Sequence, residues 1–412
     1  MAGQRYDVVV VGAGIVGLAT AMEMLKRRPN LKLAVIDKET DVSKHQTGHN
    51  SGVIHSGIYY APGSLKATLC VQGVKQLVRF CDERDIPYDL CGKVIVATQE
   101  KELPGLQKLY ERGVANGVPG VEIIGPERLR ELEPHVRGIK AIYSPKTGIV
   151  DYVKVAGAYA DEVRGMGGDI LLGREVTNVD RRAGAVTVET TGGEVQGDYL
   201  ISCAGLFADR IARMTGAPRA PQIVPFRGDY YELVPAKRHL INNLIYPVPD
   251  PEFPFLGVHF TRHINGDRSL GPNAVLAFAR EGYKKLDIKP KELGEALSYG
   301  GFQKMAVMYW KMGLGEYWRD FNKQAFVKAL QAYVPEIQPE DCHPGPAGVR
   351  AQAIQANGKM VDDFVFATGD RVMHVRNAPS PAATASIAIG GEIVNKAEGL
   401  FDLAPARQPA AV

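Results

Sequence analysis

Residues 6–37, YDVVVVGAGIVGLATAMEMLKRRPNLKLAVID, constrain the fold more than any other part of the chain. Val8 to Val11 is an unbroken β-branched run, the pattern of a strand buried on both faces. Gly12, Gly14 and Gly17 follow in the spacing G-x-G-x-x-G, and Ile15 to Arg27 reads as a helix stopped by Pro29 and Asn30. Leu31 to Ile36 is a second apolar run, and Asp37 ends it. Each part has a physical reason. Gly12 allows a sharp turn off the strand, Gly14 lets a pyrophosphate approach the backbone at the positive end of the helix, and Gly17 lets helix and strand pack closely. Asp37 sits about 20 residues past the last glycine, where a carboxylate accepts from a ribose hydroxyl. The alternative, a tight turn in an ordinary β-α unit, leaves the acid unexplained.

The chain has 412 residues, enough for two or three core-forming units. A formal charge of +3, from 49 basic and 46 acidic side chains without a dense basic run, gives no argument for nucleic acid. Cys70, Cys81, Cys91, Cys203 and Cys342 are scattered and include no C-x-x-C, so reduced thiols are expected rather than disulfides or a metal site. Arg5, the run from Val8 and Ala19-Thr20-Ala21 mimic a signal peptide, but cleavage there would destroy the fingerprint. No run of about 18 apolar residues marks a membrane span. A cytoplasmic protein, or one peripheral on the inner membrane, is expected.

Downstream of Asp37, His45 to Ser64 has no lasting period and reads as a long functional loop. Leu65 to Arg84, Lys101 to Asn116 and Val153 to Met166 read as helices. Ile170 to Val179, Ala185 to Thr190 and Asp198 to Ala204 read as strands. Ile223 to Pro235, Leu256 to Thr261 and Ala274 to Ala279 alternate like a second sheet, Pro290 to Tyr333 is mostly helical, and Ser380 to Lys396 is a helix of small residues. The pattern predicts an α/β fold, α+β overall. A discontinuous Rossmann-like cofactor domain takes 1–85, 148–220 and 342–403. A substrate domain with a mixed, largely antiparallel sheet takes 86–147 and 221–341, and 404–412 is a flexible tail.

Two stretches favour FAD over NAD. Asp198 to Gly205 is a buried strand ending in Ala-Gly. Gly345 to Arg350 together with NAPSPAATASIA, 377–388, places small residues at a helix start whose N–H groups suit an electron-rich ring edge.

At these residues the chain resembles the FAD-dependent D-amino-acid-oxidase-like (glycine-oxidase-like) superfamily and, within it, the L-2-hydroxyglutarate dehydrogenase/oxidase group. HQTGHNSGVIHSGIYY (45–60), TGIVDY (147–152), CAGLFADRI (203–211), VPFRGDYYEL (224–233), YPVPDPEFPFLGVHFT (246–261), GPAGVRAQ (345–352) and HVRNAPSPAATASIAIG (374–390) carry the resemblance; 280–340 matches only loosely. It implies a GR2-type FAD domain and oxidation of L-2-hydroxyglutarate to 2-oxoglutarate, with electrons passed to a quinone, another acceptor or oxygen. The same fold also serves amino-acid and amine oxidases, which differ at the substrate site. A non-catalytic flavoprotein fits poorly with the His-rich loop.

Expected cofactor contacts are Gly12, Gly14, Ile15, Val16, Gly17, Asp37 and Lys38; His45, Thr47, Gly48, His49, Asn50, Ser51 and Gly52; Val176, Cys203, Ala204, Gly205 and Arg350; and Asn377, Ala378, Pro379, Ser380, Pro381, Ala382, Ala383 and Thr384. No metal is expected. Oxidising an α-hydroxy acid requires an acceptor for the hydroxyl proton, and histidine suits that. The candidates are His55, in the loop, and His259, at the end of an apolar strand. A dicarboxylate substrate calls for cations. Arg227, in an apolar strand, and Arg350 are the candidate clamps, and Tyr60 (with Tyr59) offers a hydroxyl. Residues 305–318, MAVMYWKMGLGEYW, read first as a helix packed on the substrate domain. The second reading is a surface that touches a membrane or docks a quinone.

Overall fold

A computed structural model describes residues 5–182, 184–250 and 256–403. The expected tail, 404–412, lies outside them. The strand Arg5–Val11 is central in an eight-stranded sheet. It runs parallel to Gly193–Ser202 on one side and Leu33–Ile36 on the other. Both faces are covered, which is why Val8, Val9 and Val10 are wholly buried. Leu33–Ile36 continues in parallel to Asp169–Leu171, and Gly193–Ser202 pairs in parallel with Val372–Asn377. The segment expected as one strand, 170–179, is split. Asp169–Leu171 joins the parallel core, while Val176–Asp180 turns at Gly173 (φ 68°) to pair with Val186–Thr190.

The first turn matches its glycines. Gly12 has φ 109°, and a Cβ there would lie 2.5 Å from the Cys203 carbonyl oxygen. A Cβ on Gly17 would lie 1.9 Å from the Gly12 carbonyl oxygen, so helix Ile15–Arg27 touches the turn that launches it. The C-terminal helix Ser386–Leu400 packs on that helix, and Gly390 is the contact: its Cβ would meet Ala19 backbone at 2.8 Å. This helix starts six residues later than expected. Pro379 and Pro381 remove donors and disfavour helix at their predecessors, so 380–385 is a series of turns.

The second sheet has nine strands. Its order is Val275–Leu276, Gln222–Leu233, Arg268–Gly271, His259–Arg262, Leu244–Pro247, Lys93–Ala97, Lys140–Ser144 and Glu122–Ile124; Cys342–Ile354 also pairs along Gln222–Leu233. Cys342–Ile354 was expected with the cofactor domain, but its ladder places it in this sheet. A three-stranded sheet of Val53–Ile54, Gly148–Val150 and Tyr88–Asp89 joins the loop after Asp37 to the region between the large sheets.

Helix Trp310–Phe321 is inverted relative to an ordinary surface helix. Glu316 and Asp320 are its buried residues. Glu316 accepts from Ala274 N–H (2.9 Å) and Asp320 from Asn273 Nδ2 (2.6 Å). Trp310, Leu314, Trp318 and Phe321 are 56, 61, 64 and 73% exposed. Packing against the substrate domain was the first expectation for 305–318. It holds for Met305, which is buried, and not for the tryptophans.

Candidate active site

A cavity of about 840 Å³ is lined from both large sheets, a size typical of small-molecule sites. One end is the glycine turn. Gly14 faces space, with only Thr47 Oγ1 at 3.5 Å from where a Cβ would sit. Thr47 Oγ1 accepts the Ile15 N–H at the helix start (3.0 Å), tying the long loop to the turn. Asp37 accepts from Ala13 N–H (2.7 Å) and Glu39 N–H (2.9 Å), each on a different carboxylate oxygen, and lines the cavity.

The lining brings together Gly12, Gly14, Ile15, Val16, Asp37, Lys38, His45, Thr47, His49, Asn50, Ser51, Val176, Cys203, Ala204, Gly205, Arg350 and all of Asn377 to Thr384. Gly17, Gly48 and Gly52 are not in it. Their glycines serve close backbone packing instead: a Cβ on Gly48 would meet Ser43 O at 2.6 Å, and one on Gly52 would meet Val150 O at 2.8 Å. A glycine that opens onto space, a helix N-terminus and a ribose-type acid at one end of so long a cavity fit FAD. Those residues would hold its pyrophosphate and ribose, and 377–384 would border its ring.

The other end gathers His55, His259, Arg350, Lys66, Tyr230 and Tyr246. The His55 N–H donates to Thr384 Oγ1 (3.1 Å), and Cys70 Sγ donates to the His55 carbonyl (3.3 Å). Its Nδ1 is buried and has no hydrogen-bond partner. Burial, then the charges of Lys93, His259 and Lys66, push the imidazole down to about 3. His259 opens its strand rather than ending it. Its Nδ1 donates to the Gly257 carbonyl (3.0 Å), an assignment from the partner that leaves Nε2 with the lone pair. Burial pushes His259 down to about 4; the Gly257 bond opposes this, and Arg350 and Lys93 add to it. Its ring packs on Tyr246 at 4.3 Å. Arg350 Nη1 donates to the Asn273 carbonyl (3.3 Å), and Gly228 leaves it room: a Cβ there would be 3.0 Å away.

Two expectations are corrected. Arg227 is buried but does not line the cavity. Its Nε donates to both oxygens of Asp229 (3.0 and 3.1 Å) and its Nη2 to Asp320 (3.3 Å), so the protein itself supplies the carboxylates. Tyr60 is also outside the lining; its ring carries the Lys66 ammonium at 5.0 Å. Tyr59 has the buried hydroxyl without a partner.

Sequence reasoning missed Lys66, Lys93, Glu281 and Tyr283. The last two form a strap over the cofactor end. Glu281 pairs with Lys38 (2.7 Å) and His45 (2.9 Å), His45 also pairs with Glu39 (2.9 Å), and Lys38 pairs with Glu39. The Tyr283 ring stacks on His49 at 4.0 Å, and its hydroxyl meets His45 Nδ1 at 3.1 Å. Glu39, His45 and Glu281 converge as metal ligands would, but the Lys38 ammonium already pairs with both carboxylates. Burial opposes the charge on His45, yet its pairs with Glu281 and Glu39 outweigh burial and raise it above its ordinary 6.5. The strap is therefore tightest below pH 6.5 and loses the His45 contribution as pH rises through the raised value. FAD release is expected to be about two- to fivefold faster at pH 8.5 than at pH 6, the scale of one partly exposed ion pair. Flavin fluorescence on dilution measures it, and His45→Gln should flatten the dependence.

The DAO family model, "FAD dependent oxidoreductase", matches residues 7–396. An L-2-hydroxyglutarate dehydrogenase of Nematostella vectensis is 52% identical, covering 97% of this chain and 92% of its own length. The human one is 47% identical (97 and 90%), and that of Escherichia coli 45% (96 and 94%). The fold is that of L-α-glycerophosphate oxidase from Mycoplasma pneumoniae, solved with FAD bound (TM-score 0.77, 23% identity, 95 and 94% covered). It is also that of glycine oxidase from Geobacillus kaustophilus (TM-score 0.71, 19% identity, both chains fully covered). The cavity that runs from the glycine turn to the paired histidines thus sits in a chain that belongs to the DAO family of FAD-dependent oxidoreductases.

Proposed function

We propose that this chain oxidises L-2-hydroxyglutarate to 2-oxoglutarate, with His259 accepting the hydroxyl proton. When bound, FAD supplies the hydride acceptor. The observation that carries the reading is a base, His259 Nε2, at the end of a cavity that also receives Arg350, Lys66 and a second neutral histidine. The relatives named above supply the substrate. Arg350 orients a carboxylate through its planar fork, and His55 flanks the reacting carbon from the loop. Burial of both imidazoles keeps them neutral near pH 7, ready to accept a proton. Anaerobic mixing of purified yellow protein with L-2-hydroxyglutarate, its D-enantiomer and L-amino acids tests this. Flavin bleaching by the L-hydroxy acid is expected; bleaching by amino acids alone would replace the reading with an amine oxidase.

The electron acceptor is reached at a membrane. Among the described residues no helix is long and apolar enough to cross one. The inverted helix instead offers Trp310, Leu314, Trp318 and Phe321 in one stripe; Val307 and Met308 on the preceding helix are also exposed, Lys311 lies over the Trp310 ring, and Lys285 and Arg319 are paired with the helix's own Asp320 and Glu316. A stripe of exposed aromatics suits an interfacial surface, and Lys311 beside it suits anionic headgroups. Co-sedimentation with vesicles containing phosphatidylglycerol is expected. Trp310→Ser with Trp318→Ser should lower it at least tenfold while turnover with a soluble dye acceptor stays unchanged.

A further inference from the structure

Arg350, the candidate carboxylate clamp, rests on a turn that the helix Trp310–Phe321 holds from behind. Gly228, Pro272 and Arg350 all line the cavity. A Cβ on Gly228 would lie 2.8 Å from Pro272 Cβ and 3.0 Å from both Arg350 Nη1 and the Asn273 carbonyl oxygen, so a side chain there would crowd the contact between the two. That contact is the 3.3 Å bond from Arg350 Nη1 to the carbonyl. The N–H of the same peptide belongs to Ala274, and it donates to Glu316 Oε2 (2.9 Å). The Asn273–Ala274 peptide is trans and planar, so its N–H and C=O point in opposite directions. Whatever fixes the N–H therefore aims the carbonyl. A carboxylate on the N–H side also polarises the amide and makes its carbonyl a stronger acceptor.

The turn is tied on two further sides. Asn273 Oδ1 accepts from the Asp229 N–H (2.7 Å), and its Nδ2 donates to Asp320 Oδ1 (2.6 Å). Glu316 and Asp320 stand one helical turn apart on the buried face of their helix. Asp320 also serves Arg227 and Lys285. Glu316 also pairs with Arg319, on its own helix and partly exposed. That pair alone gives no reason to bury a carboxylate to 5% exposure, since the same pair forms in water at less cost. The inward oxygen of Glu316 meets the peptide that seats Arg350.

We propose that Glu316 is a positioning residue for substrate binding: by holding the Ala274 N–H it turns the Asn273 carbonyl onto Arg350, and so presents that guanidinium to a substrate carboxylate. This rests on the reading of Arg350 given above but concerns binding alone, so it is testable without turnover.

The test titrates FAD-loaded protein with glutarate, following the flavin absorbance. Glu316→Met, which keeps the stem and removes the acceptor, should bind glutarate about tenfold more weakly, the scale of one hydrogen bond to a charged group. Glu316→Gln, which keeps an acceptor at the same reach, should stay within about threefold of wild type. Arg350→Met should lose at least as much affinity as Glu316→Met. Adding Glu316→Met to Arg350→Met should then change nothing further, because both act through one contact. A residue that only stabilised the fold would lower affinity by the same factor in both backgrounds. Such equal factors, wild-type affinity in Glu316→Met, or a loss in Glu316→Gln as large as in Glu316→Met overturns the proposal. If Glu316→Met does not fold, Glu316→Asp, which keeps the charge and withdraws the acceptor by one methylene, replaces it under the same criteria. Wild-type glutarate affinity in Arg350→Met would overturn Arg350 as the clamp, and the proposal with it. Failure of L-2-hydroxyglutarate to bleach the wild type, with the expected glutarate affinities intact, would instead overturn the reaction assigned above and leave the seat of Arg350 standing.

Discussion

His259→Ala is expected to slow anaerobic flavin reduction by roughly 10²- to 10⁴-fold, the usual worth of a positioned general base, with the flavin still bound. The argument starts from the Gly257 carbonyl. It fixes the proton on Nδ1, so Nε2 is the acceptor at the cavity end. Burial makes the free imidazole a weak base, at about 4. A bound dicarboxylate brings negative charge beside it and strengthens it during turnover. The sign of the pH effect follows. The acceptor is the neutral form, so kcat/KM should stay level as pH falls through 6.5 and drop only as it nears about 4. A histidine in water would already lose activity at 6.5. His55→Ala should cost less if His259 is the acceptor, because only His259 has its tautomer set by a partner. A reduction rate in His259→Ala within threefold of wild type would move the role to His55.

What the sequence made legible was local. Residues 6–37 encode strand, turn, helix and acid within one β-α-β unit, and Gly17 answers the Gly12 carbonyl five residues before it. In the loop 45–52, His45, Thr47, His49, Asn50 and Ser51 line the cavity, as does all of 377–384; a long polar or small-residue segment without period is the local signal of a functional loop. Long-range partners were not legible. Arg227 in an apolar strand looked like a charge waiting for a substrate. Asp320, 93 residues on, answers it from a helix whose buried face is acidic. The same helix shows why composition misleads: its Trp and Leu residues read as core, but polar groups on the sheet edge claim the inner face. Nothing in the local sequence marks Lys93, at a strand start, as buried. Only the tertiary fold closes Tyr59 and Tyr246 over it. Cys342–Ile354 hid behind Pro344, Pro346 and two glycines, and forms because Gln222–Leu233 offers a long matching edge.

Gly14 and Gly17 should separate cofactor binding from folding, although three residues part them. A Cβ on Gly17 would sit 1.9 Å from the Gly12 carbonyl oxygen and 3.4 Å from Cys203 Cβ. The first obstacle is backbone, so no rotamer change relieves it; the helix Ile15–Arg27 must move off the turn. Overpacking of this kind costs roughly 1–3 kcal/mol, and more where backbone must shift. That helix also packs on Ser386–Leu400 through Ala19 and Gly390, so the displacement spreads into the core. Gly17→Ala should therefore give protein with a clearly lowered Tm even as the apoprotein, and little bound flavin. At Gly14 the only neighbour is Thr47 Oγ1 at 3.5 Å, and φ is −78°, which any residue adopts. Gly14→Val should keep the apoprotein Tm within about 2 °C of wild type, as substitutions that disturb no packing do, yet lose most of its flavin because the side chain fills the cavity. Apoprotein melting curves and flavin-to-protein absorbance ratios on both variants distinguish the two roles. Full flavin content in Gly14→Val would mean that the turn is not the pyrophosphate cradle. A wild-type Tm in Gly17→Ala would mean that helix and turn are not in the close contact from which the whole parallel sheet is built.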